Sequence, residues 1–150
     1  MAEPTLFKNA KAAWATGTAT GATLTQISDV KSVALPLTKA ELANSVMSDD
    51  GETFFPGLIS APITVVARQS FATGSTAVDQ QAYDRWNGGD KFRFEFAPVN
   101  AALSATNPAY HFSRVGVFSF TPINGAHGEL LENSIEMRML SGCVLSRKTA

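Results

Sequence analysis

Charge, histidine and cysteine are all scarce in this chain, and each shortage removes a class of chemistry. Charged residues make up 17% of the 150 positions, and the twelve Lys and Arg against thirteen Asp and Glu leave a net charge of −1. That balance excludes the basic footprint of a typical nucleic-acid binder. So little charge on a small folded domain points to an exterior that meets protein more than water. Of the two histidines, His111 sits between Tyr110 and Phe112 in a strand-like run, and His127 lies in a Gly-rich turn. His127 with Glu129 offers two ligands where a zinc site wants three or four. The single cysteine, Cys143, cannot form an internal disulfide, so nothing calls for an oxidising compartment. Its neighbours, 140–145, read as an apolar strand, which predicts a buried, inert thiol. There is no Gly-x-Ser-x-Gly elbow and no phosphate loop. The glycines of 16–21 follow no strand and open no helix, and Asp49, Asp50 and Glu52 lack calcium-loop spacing. No catalytic, cofactor or metal site is expected. No 18-residue apolar run occurs, so no membrane span or membrane binding is expected. Residues 1–8 lack the basic start and apolar core of a secretory signal, which places the chain in the cytoplasm when made.

What is present is a core-forming composition, 45% hydrophobic. A chain of this length makes one domain, 1–150, burying about two-thirds of its unfolded surface. Residues 1–22, rich in Ala, Thr and Gly, read as a flexible arm carrying Phe7 and a core-seeking Trp14. Leu24 to Val33 reads as a strand. From 35 to 61 only a weak helical patch, Lys39 to Ala43, interrupts a long polar loop. An ordinary hairpin with an overlong tip is the alternative there. Pro62 to Phe71 is β-branched and strand-like. A helix follows, with Thr76 and Asp79 as a capping box, Val78, Ala82 and Trp86 as its apolar stripe beside Tyr83, and Gly88 as its left-handed end.

The clearest pattern is Lys91-Phe92-Arg93-Phe94-Glu95-Phe96, whose period of two puts three phenylalanines on one face. Residues 97–109 read as a loop. Tyr110 to Thr121 reads as a strand with a bulge at Gly116, 122–128 as a turn, and Glu132 to Leu140 as an alternating strand, before a frayed tail at 146–150. About six half-buried strands and one helix, without βαβ rhythm, predict a mainly β fold: an antiparallel sandwich or barrel with one flanking helix.

The order of elements from Met47 to Phe96 carries a resemblance. A polar loop with Ser48-Asp49-Asp50-Gly51 leads into Phe55-Pro56-Gly57-Leu58. Strand and helix follow, the helix ending at Trp86-Asn87-Gly88-Gly89-Asp90, then an alternating strand. This resembles the major tail tube proteins of long-tailed (siphovirus-type) bacteriophages, as an order of elements over roughly 20–145. The resemblance implies a structural subunit, not an enzyme, assembled in the host cytoplasm and residing in the virion tail. Six copies would make a ring, and stacked rings would form the conduit for DNA ejection. Its partners would be further copies, an initiator at the tip, a terminator at the head end, and passing double-stranded DNA held without specific binding. The loop would reach a neighbouring ring, with Lys39, Glu41, Met47, Asp49, Asp50 and Phe54 as contact candidates. Pro56 and Gly57 would form a turn returning Phe54, Phe55 and Leu58 to the core, Gly57 taking a positive φ. Strand alternation names Lys91, Arg93, Glu95, Glu132 and Glu136 as candidates to line the lumen, the last two as carboxylates that repel phosphate. A head–tail connector ring shares this logic but stops at one ring. A virion-associated β-sandwich binding module, using Phe54, Phe55, Tyr110 and Trp14, is the reading from a different class.

Overall fold

The computed structural model describes residues 10–47, 50–71 and 77–150. Phe7, Ser48, Asp49 and Thr76 lie outside them. Ten strands and one helix run in the order β1 (Lys11–Ala15), β2 (Leu24–Gln26), β3 (Val30–Ala34), β4 (Thr38–Ala43), β5 (Phe54–Ser60), β6 (Ile63–Arg68), α1 (Val78–Gly88), β7 (Phe92–Ala97), β8 (Ala109–Asn124), β9 (Glu132–Met139) and β10 (Leu145–Lys148). All pairings are antiparallel, in the order β2-β1-β7-β8-β9-β6-β3, with β10 also on β8 and β4-β5 standing apart. This is the mainly β, single-helix architecture that the patterning predicts.

The sixteen-residue β8 organises the domain. Its first half pairs with β7 from Tyr110 to Val115 and with β10 from Ala109 to Phe112, while its second half pairs with β9 from Val115 to Asn124. β9 and β10 thus follow one edge of β8 in succession, parted only by 140–144. Register shifts at Val117/Ser119 and at Phe92/Phe94 mark bulges that bend the ribbon, close to but not at Gly116. Two sheets result, β2-β1-β7-β8-β10 and β8-β9-β6-β3, sharing β8. Trp14, Phe92, Phe94 and Phe112 from the first share one buried core with Ile63, Val65, Ile135 and Met137 from the second.

Several expectations are corrected. The arm is not free over 11–15: Ala12 to Ala15 are fully buried, and β1 holds Trp14 in the core between β2 and β7. The Leu24–Val33 strand is two strands, broken at Asp29, which adopts φ 54. The tail is strand β10, paired through Lys148. Cys143 sits half-buried in the β9–β10 connection rather than in a strand. The helix starts after Ala77, which makes no side-chain cap, and Asp79 instead accepts a 2.8 Å bond from Gln69 Nε2. Gly89, not Gly88, takes the left-handed φ of 61 that ends it.

The helical stripe is Val78, Ala82 and Arg85, whereas Trp86 and Tyr83 are each 47% exposed. Arg85 wins the inward position because its guanidinium finds partners there. It lies 4.3 Å from the Trp14 ring centre and 5.1 Å from that of Phe92, and it donates to the carbonyls of Ala15 and Gln81. Burial pulls its pKa below the ordinary range, with Asp90 and Asp84 opposing. Trp14 Nε1 donates to Gln81 Oε1 at 2.6 Å, locking helix to sheet.

Candidate assembly interface

The long loop of 35–61 is a β-hairpin, and the weak helical patch is strand β4. Thr38-Lys39-Ala40-Glu41-Leu42-Ala43 has alternation compatible with either state, and pairing with β5 decides it. Neither strand joins the main sheet, and every β4 residue is exposed. Directly opposed residues share a face. Leu42 therefore stands with Phe55 on one side, and Ala43 with Phe54 on the other. Phe54, Phe55 and Leu58 do not return to the core; Phe55 is 58% exposed and Leu58 86%. A two-stranded ribbon with apolar groups on both faces is at best marginal in water unless something covers it.

Pro56-Gly57 is not a turn. Both residues lie inside β5, and Gly57 is not among the positive-φ glycines. Glycine is needed there for a different reason. The register shifts between Lys39 and Glu41, and a Cβ on Gly57 would stand 3.0 Å from the Ala40 carbonyl oxygen and 3.1 Å from Ala40 Cβ. Gly57→Val is therefore expected to cost the hairpin about 1–3 kcal/mol of overpacking. The melting temperature of the domain should stay put, because no core residue is touched. A melting curve alongside a sedimentation assay of assembly checks both halves; undiminished assembly would show that the ribbon tolerates the crowding.

Of the remaining hairpin candidates, Lys39, Glu41 and Phe54 lie on the strands, Met47 and Asp50 lie at the exposed tip, and Asp49 lies outside the described residues. Sequence reasoning sends Phe55 and Leu58 to the core, with Phe55 exposed only in the binding-module reading, and does not single out Leu42 and Ile59, since apolar residues beside a Pro-Gly step read equally well as core.

The lumen candidates divide between the two sheets. Glu132 and Glu136 share the coreless face of β8-β9-β6-β3, with Arg138 on the same strand and Arg68 directly opposite Glu132. Glu132 is engaged by Lys31. Glu136 is exposed, opposed by Thr64 and Ser119.

Lys91, Arg93 and Glu95 belong to the other sheet. Lys91 is exposed just before β7, with no ion-pair partner among the described residues. Arg93 donates to the carbonyls of Ala19 and Thr20 and to His111 Nε2, its Nη2 at 2.7 Å from that nitrogen. Glu95 is buried, with Lys11 Nζ at 3.3 Å and His111 Nδ1 at 3.4 Å. Because Arg93 can only donate, His111 Nε2 carries the lone pair and the imidazole is neutral. The Nδ1 contact to Glu95 falls outside hydrogen-bond geometry, leaving Nδ1 without a good acceptor.

Burial depresses the His111 pKa below the ordinary 6.5, and Lys148 and Arg93 push the same way, against Glu95. A histidine depressed in the folded state binds fewer protons there than in the unfolded chain. Its contribution to stability is complete above pH 6.5 and is lost as pH falls below that value toward the folded-state pKa. The melting temperature should thus decline between pH 6.5 and 5, and His111→Gln should flatten part of that decline. An identical acid limb in the variant would exclude His111 as its source.

No protein-family model matches this chain, and no curated protein sequence does. Solved structures do match it. The chain superposes over 98% of its length on 81% of the SPP1 tail tube protein, with a TM-score of 0.72 and 14% identity. The sheath/tube terminator of the extracellular contractile injection system PVC gives 0.67 at 12% identity, covering 97% of this chain and 98% of that one. A tail protein of the gene transfer agent particle, refined with six-fold helical symmetry, gives 0.62 at 12%, covering 82% and 86%. The chain has the tail-tube fold. These neighbours are structural parts of tubes and tails. The binding-module reading loses two of its four aromatics, since Trp14 is fully buried and Tyr110 half-buried against the core.

Proposed function

We propose that this protein is the repeating subunit of a phage-like tail tube, six copies closing each ring and rings stacking into a conduit for DNA. The observation that carries the reading is the β4–β5 hairpin, which leaves apolar side chains exposed on both faces among the described residues. The tail-tube fold supports it.

The topology supports a closed barrel. Within β8-β9-β6-β3, the outer edge of β3 and the edge of β8 beyond Val115 are unpaired among the described residues. Joining β3 of one copy to that edge of β8 in the next removes both open edges. Six copies of four strands give 24 strands. At ordinary strand spacing and tilt such a barrel is about 50 Å across, wide enough for a duplex. Its inner wall would be the coreless face bearing Glu132, Glu136, Arg68 and Arg138. Glu95 and Arg93, tied up on the other sheet, would not line it. Self-assembly, the absence of chemistry and residence in the virion tail all follow from this reading.

Electron microscopy and sedimentation of the purified protein at rising concentration test it. Six-fold rings and tubes are expected, and a persistent monomer overturns the reading. A second reading is favoured by one observation: the PVC terminator is matched over nearly its whole length, whereas the SPP1 protein has residues beyond the match. Growth that stops at one ring at every concentration would select that terminator role.

A further inference from the structure

We infer that Asn124 is a site of spontaneous deamidation, through which the chain acquires a carboxylate at the β8–β9 turn; the modification does not depend on the tube reading. Asn-Gly occurs twice in the sequence, at Asn87-Gly88 and at Asn124-Gly125. The step is reactive because glycine has no side chain to shield its own backbone nitrogen. That nitrogen bonds to the asparagine side-chain carbonyl carbon and gives its proton to water. The bond from that carbon to the side-chain nitrogen breaks, and ammonia leaves. The five-membered imide then takes up water at one of its two carbonyls and reopens as aspartate or isoaspartate. Water is the only co-reactant, and nothing is oxidised or reduced.

Both asparagines are exposed, so access to water does not separate them. Backbone geometry does. Gly88 is the last residue of α1, where its N–H belongs to the helix ladder and the helical backbone holds nitrogen and side-chain carbon apart. Asn124 is the last residue of β8, beyond a register shift that begins at Thr121, and Gly125 lies outside every strand. The Gly125 N–H makes no hydrogen bond among the described residues. The surroundings favour the reaction as well. Asn124 lines a cavity of about 450 Å³ together with Lys31 and Arg68, and cations there stabilise the oxyanion that forms as the nitrogen adds.

The product changes the charge beside an unpaired cation. Asn124 lies opposite Glu132, and Glu132 opposite Arg68, so the three form a row on one face. Lys31 holds Glu132, which leaves Arg68 with no ion-pair partner among the described residues. A carboxylate at 124 enters the same cavity and supplies the negative charge that this guanidinium lacks. Isoaspartate adds a main-chain carbon too, and so lengthens the turn.

Peptide mapping by mass spectrometry of the folded protein, held in mildly alkaline buffer, tests the site. The peptide spanning 124 should gain the mass difference of an acid over an amide and split into aspartate and isoaspartate forms. The peptide spanning 87 should stay unchanged. In the denatured chain the two should convert alike, because the backbone constraint is gone. Gly125→Ala should slow conversion at 124. Its methyl would find the end of the Leu131 side chain nearest, at 3.1 Å, and Leu131 is 40% exposed and free to give way. Asn124→Gln, which would have to close a larger ring, should keep its charge. Survival of Asn124 over the time in which the denatured chain converts overturns the inference, as does equal conversion of Asn87 in the folded protein. On the tube reading, Asn124→Asp tubes should need lower salt to retain duplex DNA than Asn124→Gln tubes. An identical salt dependence overturns the charge consequence, whereas a failure of both to form tubes counts against the tube reading alone.

Discussion

Replacing residues 38–60 with a short Gly/Ser linker is expected to abolish tubes while leaving the domain folded. The cut removes the whole of β4 and β5, no residue of which belongs to the buried core. What remains is β3 and β6, already paired from Val30 to Ala34, so the linker only has to close an ordinary hairpin. The melting temperature should move by less than about 4 °C, the equivalent of roughly 1 kcal/mol for a domain of this size. Assembly should fall from tubes to rings or monomers, because the exposed Leu42, Phe54, Phe55, Leu58 and Ile59 are gone. The measurement is a melting curve together with electron micrographs at matched concentration. Tubes of normal length would sink the role of the hairpin, whereas an unfolded product would show that β4–β5 supports the domain after all.

How far the sequence reveals these surfaces depends on the physics of each element. Buried alternation was legible: Phe92 and Phe94, or Ile135 and Met137, face the core as period two requires. The pattern erred where a second interaction competes with it. Glu95 is buried because Lys11 and His111 meet it, and Arg85 displaces Trp86 from the helix stripe because Trp14 and Phe92 offer it their ring faces. The β4–β5 hairpin is the alternative weighed for 35–61, and what the pattern misplaced is its exposed apolar groups: within one chain Phe55 and Leu58 look like core, and Gly57 looks like a turn.

Charge reversal at Glu136 is expected to turn a permissive conduit into one that holds DNA. If the coreless face of β8-β9-β6-β3 lines the bore, each copy presents Lys31, Arg68 and Arg138 against Glu132 and Glu136, three cations and two carboxylates. The wall is therefore close to neutral rather than acidic, and Glu132 is already spent on Lys31. Glu136 is the carboxylate of that face with no ion-pair partner among the described residues, so it does most to keep phosphate off Arg138 on the same strand. Glu136→Lys raises the surplus from one positive charge to three per copy, and six copies multiply it in every ring. Each added phosphate contact releases counterions, so binding would strengthen steeply as salt is lowered. The position is exposed, opposite Thr64 and Ser119, so folding and tube growth should be untouched. Glu132→Lys would be the poorer variant, because it would leave Lys31, Arg68 and the new lysine together. Variant tubes should retain duplex DNA at low salt where unaltered tubes do not, and particles carrying them should release DNA incompletely. Normal tubes with unchanged DNA retention and release would place Glu136 outside the bore, and failure to form rings would place it at an interface.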